Sequence, residues 1–205
     1  MNTVCLDLEG VLIPEIWINV AKKTGIEELM LTTRDIPDYD VLMTKRLGIL
    51  KEHGLKLKDI QDVIDTMDPL GGAREFLRAL REAFQVIILS DTFVEFAKPM
   101  MKKLEWPTLF CNRLIVDGGN NVTGYALRQK DGKRKAVEAL KGIGLTIVAA
   151  GDSYNDLTMI QTAQKGILFR PPSNIVEEHP QLPVCTEYGE FRTAIDNAFA
   201  ELGTL

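Results

Sequence analysis

Histidine and cysteine are scarce in this 205-residue chain, with two of the first and three of the second. His53 and His179 have no companions at metal-ligand spacing and read as surface residues. Cys5, Cys111 and Cys185 are an odd count, far apart, in apolar segments and without a CxxC pair, so reduced core thiols are expected. No apolar run reaches the roughly 18 residues of a membrane span, and Asp7 interrupts the first one that begins. A cytoplasmic, unanchored protein is therefore expected. Lys and Arg (24) do not outnumber Asp and Glu (29), so no broad basic surface awaits a nucleic-acid backbone. A phosphate-cradling GxxxxGK[ST] loop is missing too: Gly132-Lys133 is followed by Arg134, and Leu127 stands where the first glycine belongs. That argues against an ATP-dependent kinase. Acids rather than GxGxxG follow the first strand, which argues against a dinucleotide-binding dehydrogenase. There is no internal repeat and no low-complexity segment.

What is present starts with residues 3–12, TVCLDLEGVL. Val4, Cys5, Leu6 and Leu8 form a nearly continuous apolar run, the pattern of a parallel strand covered on both faces. It delivers Asp7 and Glu9 into a turn marked by Gly10. In an open α/β sheet the ligand crevice lies beyond the carboxyl ends of such strands, where Asp7 falls. A carboxylate there can ligate a metal, act as a nucleophile or cap the next element.

Residues 14–67 change period. Pro14 fits a first helical turn, and Ile16, Trp17, Val20 and Ala21 make one apolar face. Amphipathic stretches at 41–52 and 57–67 follow a polar, proline-bearing spacer at 32–40. From Gly71 the alternation of a parallel α/β protein takes over: helix 73–83, strand 84–89, helix 94–104, a hairpin of 109–116 and 122–127, helix 132–140, strand 145–150, strand 166–169 and a closing helix 191–202. The expected fold is a doubly wound, Rossmann-like α/β core with a β-hairpin. Residues 1–13 and 71–205 form the core, and a helical cap of 14–70 is inserted after the first strand, where a lid would attach.

Three further pieces sit at strand ends or helix starts. Ser90 follows the apolar strand 86–89, placing a hydroxyl and the next amides in the crevice. Lys133 opens a helix whose inward face continues through Ala136, Val137 and Leu140. Asp152 follows strand 145–150 through Gly151, as Asp7 follows its own strand, and two such acids can grip one Mg²⁺. Asn155 offers an amide to a substrate, and Asp156 can cap the next helix or touch the site. Each piece alone has an ordinary explanation: Ser90 and Asp91 as helix caps, 130–135 as a solvated basic turn, GDSYND as a plain connection. Together they supply the different parts that phosphoryl transfer needs.

The order DLEGV, LSD, Lys133 and GDSYND resembles the four motifs of the haloacid dehalogenase-like phosphatase superfamily and spans nearly the whole chain. The resemblance implies Asp7 as nucleophile and Glu9 as general acid/base, with the Glu9 carbonyl and the Asp7 and Asp152 side chains holding Mg²⁺. It also implies that Ser90 and Lys133 hold the phosphoryl oxygens. The chain is most similar to the phosphoserine phosphatase group, which carries a glutamate just after the first motif and an arginine in a cap helix. Glu15 in PEIW and Arg46 in KRLGILK fit, the first to meet a substrate ammonium, the second its carboxylate. From the residues alone both also read as solvated helix positions.

Two departures stand out: Glu9 where the group usually has Asp, and Asp91 where it usually has Gly. The longer Glu9 shifts the acid/base carboxyl by about one methylene, which bears on the acceptor it activates. Asp91 adds charge beside the phosphate, so its backbone amide is the expected contact. With these features the chain resembles the bifunctional members of the group, which pass phosphate from phosphoserine to water or to homoserine. A homodimer is expected by the same likeness. The rival readings are a phosphatase of another small ester, such as phosphocholine or a sugar phosphate, and a non-catalytic Mg²⁺- and phosphate-binding regulatory module.

Overall fold

The computed structural model describes residues 1–33, 35–36 and 38–203. Among them seven strands form one sheet: β1 (Asn2–Leu6), β2 (Gln85–Phe93), β3 (Thr108–Val116), β4 (Val122–Ala126), β5 (Thr146–Gly151), β6 (Lys165–Phe169) and β7 (Val184–Cys185). Their order across the sheet is β4-β3-β2-β1-β5-β6-β7. All neighbours are parallel except the β3–β4 hairpin. The helices are α1 (Ile16–Thr24), α2 (Tyr39–Glu52), α3 (Leu57–Thr66), α4 (Ala73–Ala83), α5 (Val94–Lys103), α6 (Gly132–Gly142), α7 (Leu157–Thr162), α8 (Ser173–Glu178) and α9 (Tyr188–Glu201).

The alternation within β1 explains why Val4, Cys5 and Leu6 are all apolar. Val4 and Leu6 enter one buried cluster with Phe76 of α4, Phe96 of α5 and Phe191 and Phe199 of α9. Cys5 enters the opposite one with Val137 of α6, Ile160 of α7 and Ile175 of α8. Helices thus cover both faces of a mainly parallel sheet, the doubly wound α/β arrangement. The strand order reverses around β1, flanked by β2 and β5, so the crevice opens beyond its carboxyl end. Cys5, Cys111 and Cys185 are buried free thiols.

The helices α1, α2 and α3 bury Ile16, Trp17, Met43, Ile60 and Ile64 in the same cluster as α5. One joint between α3 and α5 follows from Pro99, which sits inside α5 and has no N–H to give to the carbonyl of Glu95. The side-chain amide of Gln61 in α3 donates to that carbonyl at 2.9 Å. A second joint uses the hairpin turn. Asn120, in the left-handed region at φ 66°, accepts the Leu57 N–H on its carbonyl (3.0 Å) and the Lys58 N–H on its side-chain oxygen (2.9 Å), which satisfies the start of α3.

Several expectations are corrected. Pro14 lies ahead of the helix rather than in its first turn, because α1 starts at Ile16 with Glu15 at the N-cap. Strand β2 continues through Ser90, Asp91 and Thr92 to Phe93, with its pairing to β3 interrupted between Leu89 and Phe93. Phe93 is the N-cap of α5, so Ser90 and Asp91 do not cap that helix. The 3₁₀ turn Glu27–Met30, α8 and the two-residue β7 went unread, being too short to show a period. Of the spacer expected at 32–40, Arg34 and Pro37 lie outside the described residues. No described helix is long and apolar enough to cross a membrane.

Candidate active site

Strand β1 ends where Asp7 begins, and the Asp7 N–H donates to the carbonyl of Ala150 in β5 at 3.0 Å. The side chain therefore leaves the sheet at a fixed point. Its Oδ1 accepts from Lys133 Nζ at 2.8 Å, and the same ammonium donates to Asp156 Oδ1 at 2.6 Å. All three groups are buried, so the solvated-turn reading of Lys133 is excluded. Asp91 Oδ2 stands 3.8 Å from the ammonium on its more open side. Burial works against the Lys133 charge, but Asp156, Asp7 and Asp91 outweigh it and hold the ammonium well above the ordinary lysine range.

Asp156 closes the turn that carries Asp152. Its Oδ2 accepts from the N–H groups of Asp152 and Ser153, both at 3.1 Å. It is thus both cap and site contact, and it is fully buried. Gly151 is required here, because a Cβ at that position would lie 2.3 Å from Asp156 Cγ. Gly10 plays the same part on the other side. Its φ is 78°, and a Cβ would lie 2.5 Å from Asp152 Oδ2, so the loop after Asp7 rests directly on the second acid.

Carboxylate oxygens of Asp7, Asp152 and Asp156 lie within 4.8 Å of one another. Three buried acids with one lysine leave the pocket short of positive charge. Burial first, then Asp156 and Asp152, raise Asp7 well above the carboxylate range against the pull of Lys133. A small hard cation with oxygen ligands fits this donor set. The Glu9 side chain is not part of it. The Glu9 carboxylate accepts the first N–H of α1, from Ile16, at 2.8 Å, where the positive end of the helix dipole favours it, and the Thr92 hydroxyl also bonds to it. Burial and the charge of Glu15 raise it to about 8, against the Ile16 amide, Arg46 and Thr92. A carboxyl of that kind keeps its proton at neutral pH.

Ser90 is buried and its Oγ accepts the Thr92 N–H at 3.2 Å, within the irregular stretch of β2 between Leu89 and Phe93. Asp91 turns its half-exposed carboxylate to Asn155, whose side-chain amide donates at 3.0 Å. The side chain thus faces the site, beyond the backbone contact expected of it. Its carbonyl accepts two side-chain donors, Tyr39 Oη and Asn112 Nδ2, each at 3.1 Å.

Over this floor stand Glu15 and Arg46. Glu15 is half-buried at the N-cap of α1. Arg46 is buried, with its guanidinium 4.7 Å from the Trp17 ring centroid and Nη2 donating to the Leu31 carbonyl at 2.8 Å. Its Nε is buried without a hydrogen-bond partner. A solvated role for Arg46 is excluded, and a buried cation with an unsatisfied donor can take an anionic ligand group.

Sequence reasoning did not single out Thr92, Asn112 or Tyr39 as site residues. Asn112, in the FCNRLIV run, bonds Asp91 and accepts the Arg128 N–H at 3.0 Å, and its burial is the signal that the sequence could not display.

A model of the haloacid dehalogenase-like hydrolase family matches residues 1–164. The chain belongs to that family. Among its relatives, phosphoserine phosphatase ThrH of Pseudomonas aeruginosa is 58% identical over 192 residues, which are 94% of each chain. A phosphoserine phosphatase of Pseudomonas syringae is 61% identical over 92% of this chain and 79% of its own. A crystal structure of an apo phosphoserine phosphatase superposes with a TM-score of 0.74 at 25% identity, covering 91% of this chain and 93% of the other. These likenesses place the chain in the phosphoserine phosphatase group of the family.

Proposed function

We propose that this chain is a Mg²⁺-dependent phosphoserine phosphatase that works through an aspartyl phosphate on Asp7 and passes the phosphoryl group to water or to homoserine. The observation that carries the reading is Asp7 itself: a buried carboxylate at a strand end, 2.8 Å from Lys133 Nζ and beside Asp152. Residues 1–13 and 71–205 are the core in this reading, and 14–70 the cap over it. The names of the relatives support phosphoserine as substrate.

Asp7 and Asp152 would hold Mg²⁺ by side chain and Glu9 by its carbonyl. When bound, the ion supplies charge neutralisation that lets an anionic nucleophile meet a phosphate. Ser90, the amides after it and Lys133 cradle the phosphoryl oxygens, with Asp91 and Asn155 at the rim. Asp7 attacks phosphorus in line, and the bond from phosphorus to the serine oxygen breaks on the opposite side, toward the cap. Glu9, protonated at neutral pH, gives its proton to that oxygen. In the second half, water or the homoserine hydroxyl gives its proton to Glu9 and attacks phosphorus, and Asp7 leaves as carboxylate.

Arg46 and Glu15 take the carboxylate and ammonium of the amino acid. The unpartnered Nε of Arg46 favours a carboxylate-bearing ester over phosphocholine, and the complete set of reacting groups favours an enzyme over a regulatory module. A cytoplasmic location and a homodimer belong to the same proposal.

The test is phosphoserine turnover with Mg²⁺, with and without homoserine, reading inorganic phosphate and phosphohomoserine. Phosphohomoserine formed at the expense of phosphate is the expected result. Phosphate alone would leave a phosphatase without the transferase, and neither product would overturn the reading.

A further inference from the structure

Tyr39 is the first residue of α2, and Arg46 follows it by seven. Seven residues are two helical turns, so both side chains leave one face of α2, about 10 Å apart along its axis. Each has a different target. Tyr39 Oη donates to the carbonyl of Asp91, near the end of β2, at 3.1 Å. Arg46 lies over Trp17 with its unpartnered Nε. The Asp91 carbonyl takes its other donor, Asn112 Nδ2, from β3 within the sheet. It is therefore fixed from the sheet on one side and read from α2 on the other.

The ring of Tyr39 is also held. Tyr125 of β4 packs against it edge-on, with centroids 5.9 Å apart, and the Tyr125 hydroxyl bonds the carboxylate of Asp40, the next residue of α2. Tyr125 in turn packs on Phe93 at the end of β2. Burial, with Asp91 and Glu9 nearby, pushes the Tyr39 phenol above its ordinary range, so it remains a donor under working conditions.

We propose that Tyr39 is a positioning residue that sets α2, and with it Arg46, at a fixed distance from the segment Ser90–Thr92, and so keeps the carboxylate contact in register with the phosphate site. This rests on the reading of that segment as the phosphate holder and of Arg46 as the carboxylate partner. With one end of α2 tied beside the phosphate, Arg46 meets the carboxylate of a seated amino-acid ester without further movement. Without the tie, α2 is free to shift and the preference for carboxylate-bearing esters falls.

The experiment compares wild type and Tyr39→Phe, which keeps the ring and loses one hydrogen bond. The substrates are phosphoserine and phosphoethanolamine, which lacks a carboxylate. The KM for phosphoserine should rise about three- to tenfold, the loss of one hydrogen bond, while that for phosphoethanolamine stays unchanged. The preference for phosphoserine over phosphoethanolamine should shrink. In an Arg46→Ala background the effect of Tyr39→Phe should vanish, because the two residues act as one unit. An equal rise for phosphoethanolamine, or an undiminished effect beside Arg46→Ala, would overturn the proposal. A wild type that prefers phosphoserine, with a Tyr39→Phe variant indistinguishable from it, would overturn the proposal alone. A wild type with no preference for phosphoserine over phosphoethanolamine would overturn the functional reading beneath it as well.

Discussion

Lys133 and Asp156 form a buried pair 2.6 Å apart, and the second oxygen of Asp156 is held by the amides of Asp152 and Ser153. The ammonium that faces Asp7 is thus fixed by an acid that also shapes the turn carrying Asp152. One residue ties the strand ends of β1 and β5 to the start of α6. Asp156→Asn should remove the charge partner of a buried lysine at a cost of about 3 kcal/mol. In a chain of this size that lowers Tm by roughly 6–12 °C, which thermal unfolding would register. An unchanged Tm would mean that Asp7 alone anchors Lys133.

Asp7→Asn should reduce phosphoserine turnover at least about a thousandfold while circular dichroism shows the fold intact. The loss of one buried negative charge also relieves repulsion in the cluster, so stability in the absence of Mg²⁺ should not fall. A variant that retained most of its activity would remove Asp7 from the nucleophile role.

Arg46→Ala should raise KM for phosphoserine by about 10- to 100-fold, the worth of a charge-assisted contact, and much less for phosphoethanolamine. Arg46→Lys should recover only part, since an ammonium cannot match a planar carboxylate at two points. Equal effects on both esters would count against the carboxylate contact.

The metal-free protein should reveal Glu9 in its pH dependence. Its carboxyl is raised from 4.5 to about 8, so between those values the folded state keeps a proton that the unfolded chain has lost. The stabilisation is complete at low pH and is lost as pH rises through that window. With metal chelated, Tm should therefore decline from pH 5 to 8 more steeply in wild type than in Glu9→Gln. Parallel curves for the two would place the Glu9 carboxyl at its ordinary value.

The sequence alone determined the order of strands and helices, because the apolar run around Cys5 and the helical stripes of α1, α4 and α6 are local signals of period. It also determined that Asp7 and Asp152 stand just beyond the ends of β1 and β5, while Ser90, expected just past β2, lies inside it. It made Glu9, Glu15, Lys133 and Arg46 visible only as residue types at suggestive positions. Tertiary structure decided the rest. Whether Lys133 was solvated or buried depended on Asp7, 126 residues away in the chain, and on Asp156. Arg46 became a buried cation because Trp17 and Leu31 of other segments close over it. The Glu9 carboxyl went to the start of α1, and Tyr39 found the carbonyl of Asp91, through contacts with no period and no motif. Local pattern is written in neighbours along the chain, whereas burial, charge pairing and the direction of a side chain are properties of neighbours in space.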